Sequence, residues 1–171
     1  MIKATTLEDL DVIKDIQTRA FEEPDEAELV ENLLNDPSAA PILSLLAYKD
    51  DNAIGHILFT KAYVDGATAA LLAPLAVDPD HHYKGTGQRL MKEGLKQLKA
   101  QGVDLVFVLG PPDYYPRVGF QNNAGKRGYP APHPIPKRHE DAWMVINLSG
   151  TDVTGPVRVA KAISAKEYWT E

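Results

Sequence analysis

The segment from Leu75 to Met91 (Leu-Ala-Val-Asp-Pro-Asp-His-His-Tyr-Lys-Gly-Thr-Gly-Gln-Arg-Leu-Met) restricts the fold more than any other part of the chain. An apolar strand ends at Val77, a short polar turn follows, and Lys84-Gly85-Thr86-Gly87 opens a strongly amphipathic helix. Glycines at a helix start let backbone N–H groups converge on an anion, and the helix dipole favours negative charge there. The segment therefore reads as a pyrophosphate cradle made by the N–H groups of residues 84 to 89. Lys84 and Arg89 are placed to add counter-charge. Two familiar cradles do not fit. A P-loop needs Gly-x-x-x-x-Gly-Lys-Ser/Thr, which is absent, and a dinucleotide fingerprint needs a third glycine where Leu90 stands.

Around this segment the chain alternates helix and strand signals. Ile2 to Ala4 reads as a first strand, and Thr6 with Asp9 three residues on reads as a helix cap. Leu7, Leu10, Ile13, Ile16 and Ala20 mark one helix face, and Phe21-Glu22-Glu23-Pro24 ends that helix. A second helix carries Leu29, Val30, Leu33 and Leu34 and stops before Asp36-Pro37. Strands are predicted over 43–48, 53–63 and 69–77, with Asp65-Gly66 as a hairpin turn. The cradle helix spans 86–100 and is capped by Gly102, and Asp104 to Gly110 is a buried strand. Residues 121–141 carry prolines at 130, 132, 134 and 136 and no periodicity, the mark of a long irregular segment that is either functional or disordered. Strands are expected again over 143–148 and 157–160, with Tyr168-Trp169 packing back.

A second motif follows the buried strand: Leu109-Gly110-Pro111-Pro112-Asp113-Tyr114-Tyr115-Pro116-Arg117-Val118-Gly119-Phe120. Together the two motifs make the chain resemble the GNAT N-acetyltransferase superfamily. That family's acetyl-CoA signature, Gln/Arg-x-x-Gly-x-Gly/Ala, is matched by His82-Tyr83-Lys84-Gly85-Thr86-Gly87, with His82 in place of Gln or Arg. Its Tyr-x-Lys/Arg-x-Gly-Phe is matched by Tyr115 to Phe120, in the form Leu-Gly-x-Pro-x-Tyr-Tyr-x-Arg-x-Gly-Phe of a bacterial branch. The upstream Asn and Ala of many members are missing, and the likeness runs from about Ile2 to Phe120.

The resemblance implies an α/β (α+β) fold, a single domain over residues 1–171 with a mixed, twisted sheet of six or seven strands and splayed central parallel strands. It also implies acetyl-CoA as co-substrate. The arm of that molecule would lie as a pseudo-strand between the strand ending at Leu75-Ala76-Val77 and the strand ending at Gly110. Pro74 marks an irregular place in the earlier strand, because it lacks a donor. The N–H of Ala76 or Val77 would polarise the thioester carbonyl. Residues 82–89 (His82, Tyr83, Lys84, Gly85, Thr86, Gly87, Gln88, Arg89), with Gly110, Tyr114, Tyr115 and Arg117, form the expected binding set. Tyr115 is the expected general acid, with Tyr114 as its rival. For the base, Glu22, Glu23, Glu28, Asp78, His81, Asp113 and water stay open. Glu22, Glu23 and Glu28 border the expected acceptor site.

Composition narrows the partners. Net charge is −6, which disfavours nucleic acid as a partner. Residues 1–40 hold eleven acids against three bases, and residues 81–100 hold five bases against one acid. An acidic front attracts a cationic amine and a basic helix attracts phosphates. No apolar run approaches the ~20 residues of a membrane span, so no membrane partner is expected. The lack of cysteine suits a reducing cytoplasm, and with no His-x-x-x-His pair no metal site is expected. No Gly-x-Ser-x-Gly elbow supports a serine hydrolase. The expected activity is acetyl transfer to a primary amine of a small molecule or peptide, in a chain compatible with homodimer formation. Two alternatives stand beside it: an acetyl-CoA-binding module without transfer, and a nucleotide-binding α/β domain.

Overall fold

The computed structural model describes residues 1–170. Strands β1 (Ile2–Ala4), β2 (Leu43–Lys49), β3 (Asn52–Val64), β4 (Ala67–Val77), β5 (Leu105–Leu109) and β6 (Trp143–Asn147) lie in that spatial order, and β7 (Arg158–Val159) adds to β3. Every pairing is antiparallel except β4 with β5. Helices α1 (Leu10–Phe21), α2 (Asp25–Leu34) and the short α4 (Glu167–Thr170) belong to one side, and α3 (Thr86–Ala100) covers the other.

The buried side chains explain the two-sided sheet. Along β5, Leu105 and Phe107 join the α1/α2 side, whereas Val106 and Val108 join the α3 side. Alternation with apolar residues on both faces produces the uninterrupted run seen in the sequence. On the first side Ile13, Ile16, Val30 and Leu33 pack over Leu46, Leu58 and Phe107. On the second, Leu90, Met91, Leu95 and Leu98 pack over Leu45, Phe59 and Val106, as the periodicity of α3 predicts. Gly102 has φ +88° just after α3, the left-handed stop expected there.

One residue of the predicted first helix face is misplaced. Thr6 N–H donates to the Asp9 carboxylate at 2.8 Å, and Glu8 N–H donates to Thr6 Oγ1 at 3.3 Å. This cap stabilises a 3₁₀ turn over Leu7–Asp9, so the α-helix begins only at Leu10. The tighter winding puts Leu7 out of phase with the core, and it is 91% exposed.

The proline-rich segment is held as a cap over β5 and β6. Ala124 N–H donates to the Trp143 carbonyl at 2.8 Å, and Trp143 Nε1–H donates to the Tyr129 carbonyl at 2.8 Å. Trp143 stacks on Phe107 and meets the edge of Trp169 from α4, with centroids 5.3 Å apart in both pairs. Trp169 thus packs back as expected, while Tyr168 stays 42% exposed.

Beneath α1 lies a buried polar chain. Gln17 Nε2–H donates to His56 Nδ1 at 2.9 Å, and His56 Nε2–H donates to Ser44 Oγ at 2.8 Å. Burial, unrelieved by any acid, holds the His56 imidazolium pKa down to about 3. Unfolded His56 titrates near 6.5. Above that pH neither state binds the proton. As the pH falls from 6.5 toward 3, only the unfolded chain takes it up, so stability drops by about 1 kcal/mol per pH unit. His56→Gln is expected to flatten this slope in urea midpoints measured from pH 6.5 to 4, and an unchanged slope would rule His56 out as its source. A second test concerns α3. A Cβ at Gly94 would run into the buried Phe59 ring, so Gly94→Val should lower stability by about 1–3 kcal/mol. An unaltered thermal midpoint would refute that close contact.

Candidate functional site

The site begins where a ladder stops. β4 and β5 pair at Ala69–Leu105, Ala70–Val106 and Leu71–Phe107 and no further. β4 continues beside β3 to Val77, and β5 continues beside β6 through Val108 and Leu109. The register of β4 against β3 jumps from Leu72–Phe59 to Leu75–Ile57, one extra residue on β4 at Ala73-Pro74. A bulge of this kind bends its strand, and Pro74 has no N–H to give the ladder there. The two central strands therefore separate into a wedge at their C-terminal ends.

The same register decides which backbone groups face the wedge. Asp78 N–H donates to the Ile54 carbonyl at 2.7 Å. Alternation along an antiparallel ladder then directs the Ala76 N–H to β3 and turns the N–H and C=O of Leu75 and Val77 outward, toward β5. Of the two residues named for carbonyl polarisation, Val77 has its donor in the wedge, and Ala76 has spent its donor on the sheet. The Val77 carbonyl accepts a bond from His82 Nε2–H at 2.9 Å. His82 thus ties the end of β4 to the loop before α3.

That loop is shaped for exposed amides. Tyr83 and Gly85 have φ of +64° and +80°, and Tyr83 stands fully exposed. The N–H groups of residues 84 to 88 have no intramolecular acceptor among the described residues. Arg89 differs from its expected place in the cradle: its N–H already donates to the Gly85 carbonyl at 3.0 Å, as the first bond of the helix. Its guanidinium donates to the Lys84 carbonyl and to Thr86 Oγ1, both at 3.1 Å, and so braces the loop. Lys84 remains exposed.

The two motifs meet through glycine–tyrosine contacts. Tyr114 and Tyr115 precede and begin a 3₁₀ turn over Tyr115–Val118. The Tyr114 hydroxyl lies so close over Gly87 that any Cβ there would collide with it. A Cβ at Gly110 would fall 2.6 Å from Cε2 of Tyr115. Burial raises the pKa of both phenols above its ordinary value. The Arg117 guanidinium, 5.8 Å from the Tyr114 ring, partly offsets this for Tyr114. The Tyr115 ring also packs edge-on against Tyr114 and Phe120.

The acidic candidates divide. Glu22 is left-handed at the end of α1 and lines a cavity of about 370 Å³ with Arg19, Asp78 and Asp80. Arg19 forms ion pairs with Asp78 and with Asp15. Burial would raise the Asp78 carboxyl, but the Asp80 amide and Arg19 hold it below the usual range. Glu23, Glu28 and Asp113 are exposed and outside that cavity. Buried His81 Nδ1 has no partner among the described residues. Sequence reasoning missed Arg19 and Asp80. The Asp15–Arg19 spacing on one helix was legible, whereas the pairing with Asp78 is not, because it joins residues 59 apart.

Residues 10–120 match the model of the acetyltransferase (GNAT) family. Over 162 residues the chain is 46% identical to the uncharacterized N-acetyltransferase YjhQ of Escherichia coli K12, spanning 91% of this chain and 90% of that one. The chain belongs to the GNAT family. Among solved structures, Escherichia coli YhbS in complex with CoA superposes with a TM-score of 0.86 at 30% identity, covering 97% of this chain and 92% of that chain. A GNAT acetyltransferase from Brucella melitensis in complex with acetyl-CoA gives 0.77 at 26% identity, covering 95% and 97%. The mixed, seven-stranded sheet is the expected fold.

The contact between the two motifs is directly testable. Gly87→Ala must displace the Tyr114 hydroxyl and is expected to lower stability by about 1–3 kcal/mol. Combining it with Tyr114→Phe should recover part of that loss in a double-mutant cycle, and strict additivity would show that the two do not touch.

Proposed function

We propose that this protein is an N-acetyltransferase that moves the acetyl group of acetyl-CoA to a primary amine by direct attack. The observation that carries this reading is the conjunction of a wedge lined by the backbone groups of Leu75 and the N–H of Val77, unclaimed by β5, with a run of free amides at residues 84–88. A diphosphate suits those amides and the dipole end of α3, and an extended amide-bearing arm suits the strand edge of β4. Thr86, Gly87, Gln88 and exposed Lys84 would hold the anion, Arg89 and His82 would keep the loop in shape, and Gly110 would give the arm room beside β5.

In the balanced reaction the thioester supplies an acetyl group that bonds to the amine nitrogen as the C–S bond breaks, while one amine proton ends on the released thiol. Val77 N–H polarises the carbonyl oxygen. Tyr115 gives the sulfur its hydrogen bond. Its raised pKa keeps the phenol protonated through the working pH range, so it serves as a standing donor. The proton leaving the amine passes to water or to Glu22, whose carboxylate lines the cavity beside the end of β4. Glu23 and Glu28 contribute only to the negative field that attracts a cationic acceptor.

Tyr115→Phe is expected to lower kcat about a hundredfold with little change in the KM for acetyl-CoA. In the parent enzyme, no alkaline limb of kcat assignable to Tyr115 should appear below pH ~10. Thiol release measured against an amine panel checks both points. Binding of CoA without release by any amine would identify a non-catalytic module instead, and loss of activity in Tyr114→Phe but not in Tyr115→Phe would move the donor role to Tyr114.

A further inference from the structure

Glu26 holds the one carboxylate oxygen among the described residues that is buried with no hydrogen-bond partner, its Oε2. An oxygen of this kind, shut away from water with nothing to bond, is costly unless a ligand supplies the donor. Helical spacing aims it inward. Glu26 stands three, four and seven residues before Leu29, Val30 and Leu33, the buried stripe of α2. The stripe that packs on the sheet therefore ends, in the first turn of the helix, in a carboxylate. Glu22, Glu23, Asp25 and Glu28 are exposed, so burial separates Glu26 from the other acids of this segment where residue order does not. Arg19 cannot neutralise it, because its guanidinium is already engaged by Asp15 and Asp78.

Contacts on two flanks fix where that turn lies. A short connection joins α1 to α2, and Lys14 pairs with Glu31 at 2.9 Å, so α2 runs back along α1 and starts beside its last turn. That last turn is held by Arg19 to Asp78, the residue after Val77 at the end of β4. On the other flank stands α4. Burial raises the Tyr168 phenol, and the carboxylates of Glu167, Asp25 and Glu28 raise it further, which sets α4 beside the start of α2. Trp169, the next residue, packs edge-on against Trp143, the strand partner of Leu109 at the end of β5. The first turn of α2 thus bridges from the end of β4 toward the end of β5, over the mouth of the wedge. Ala73 and Ala76 of β4 and Leu109 of β5 turn their side chains to this same side, whereas Tyr115 and α3 belong to the other. Burial raises the Glu26 carboxyl above its ordinary value; its own amide opposes the rise, and the carboxylates of Glu23 and Asp25 add to it. Such a shift suits a group that takes a proton and gives it up again.

We infer that Glu26 receives the acceptor amine and takes its first proton. The inference rests on the acetyltransferase reading and assigns the base of that reaction to Glu26, over Glu22 and water. An amine that arrives as an ammonium loses two protons in becoming an amide. Glu26 takes one, which frees the nitrogen electron pair to bond the thioester carbon, and later returns that proton to solvent. The other ends on the sulfur as the C–S bond breaks. The ammonium also brings the N–H donor that Oε2 lacks, so binding and proton removal use one contact. The amine enters from the α1/α2 side and Tyr115 serves the sulfur from the α3 side, so nucleophile and leaving group are handled from opposite faces of the sheet.

Glu26→Gln keeps the shape of the side chain and removes its basicity. Thiol release by the full-length protein is measured with acetyl-CoA and benzylamine, tyramine or putrescine, and the fastest of the three is carried forward. At pH ~7 the variant is expected to lose about a hundredfold in kcat, with the KM for acetyl-CoA unchanged. The deficit should shrink as the pH rises to ~9.5, where more of the amine arrives without its extra proton. Glu26→Asp, which keeps the carboxylate but draws it back, should lose less than Glu26→Gln. A deficit equal at both pH values marks a structural role and overturns the inference. Parent-level kcat in Glu26→Gln, a greater loss in Glu26→Asp, or a greater loss in Glu22→Gln overturns it as well, and each leaves the acetyltransferase reading standing. No release with any amine, while CoA still binds, overturns that reading, and the role of Glu26 falls with it.

Discussion

The end of β4–β5 pairing after Leu71 and Phe107 is the constraint on which the site depends. A parallel ladder carried further would have consumed the backbone groups of Leu75 and Val77 and left no edge for a second chain-like molecule. The extra residue at Ala73-Pro74 prevents that by bending β4 where proline already lacks a donor. The opening survives because each leaf stays bonded on its far side, β4 to β3 and β5 to β6, and because the core packs on both faces below it. The wedge is thus a local interruption inside a sheet whose stability lies elsewhere.

Everything around the wedge is registered to it by contacts that need small residues or short bonds. Gly87 admits the Tyr114 hydroxyl, Gly110 admits the Tyr115 ring, and His82 bonds the Val77 carbonyl. These three contacts link the loop before α3, the end of β4 and the tyrosine turn, so the parts that in the acetyltransferase reading would meet phosphate, arm and sulfur cannot drift independently. His82 departs from the family pattern in identity. Its Nε2–H still supplies a donor, which a Gln or Arg side chain also has.

The two faces of the sheet divide the chemistry. The α3 side carries the basic helix and the free amides, and the α1/α2 side carries the acidic front. In the acetyltransferase reading this separates an anionic donor from a cationic acceptor that meets it only at the wedge. Arg19 is an exception within the acidic half. Paired with Asp15 and Asp78, it braces the end of α1 against the turn after β4, and so fixes where Glu22 stands.

Residue order alone determined helices α1 to α3, the Asp65-Gly66 hairpin and the glycine-opened start of α3, because periodicity, caps and glycine spacing act over a few residues. The same local rules misplaced Leu7, where a 3₁₀ turn shifts the helical phase, and counted the Arg89 amide as free when the first helical bond already used it. Only the tertiary structure decided that Val77 rather than Ala76 faces the wedge, since that follows from which strand β4 pairs with and in which register. It also decided the Arg19–Asp78 pair, the Gln17–His56–Ser44 chain and the stack of Trp143 on Phe107, each of which joins distant segments. Such contacts depend on how strands align across the sheet, and short-range propensity carries no information about that alignment.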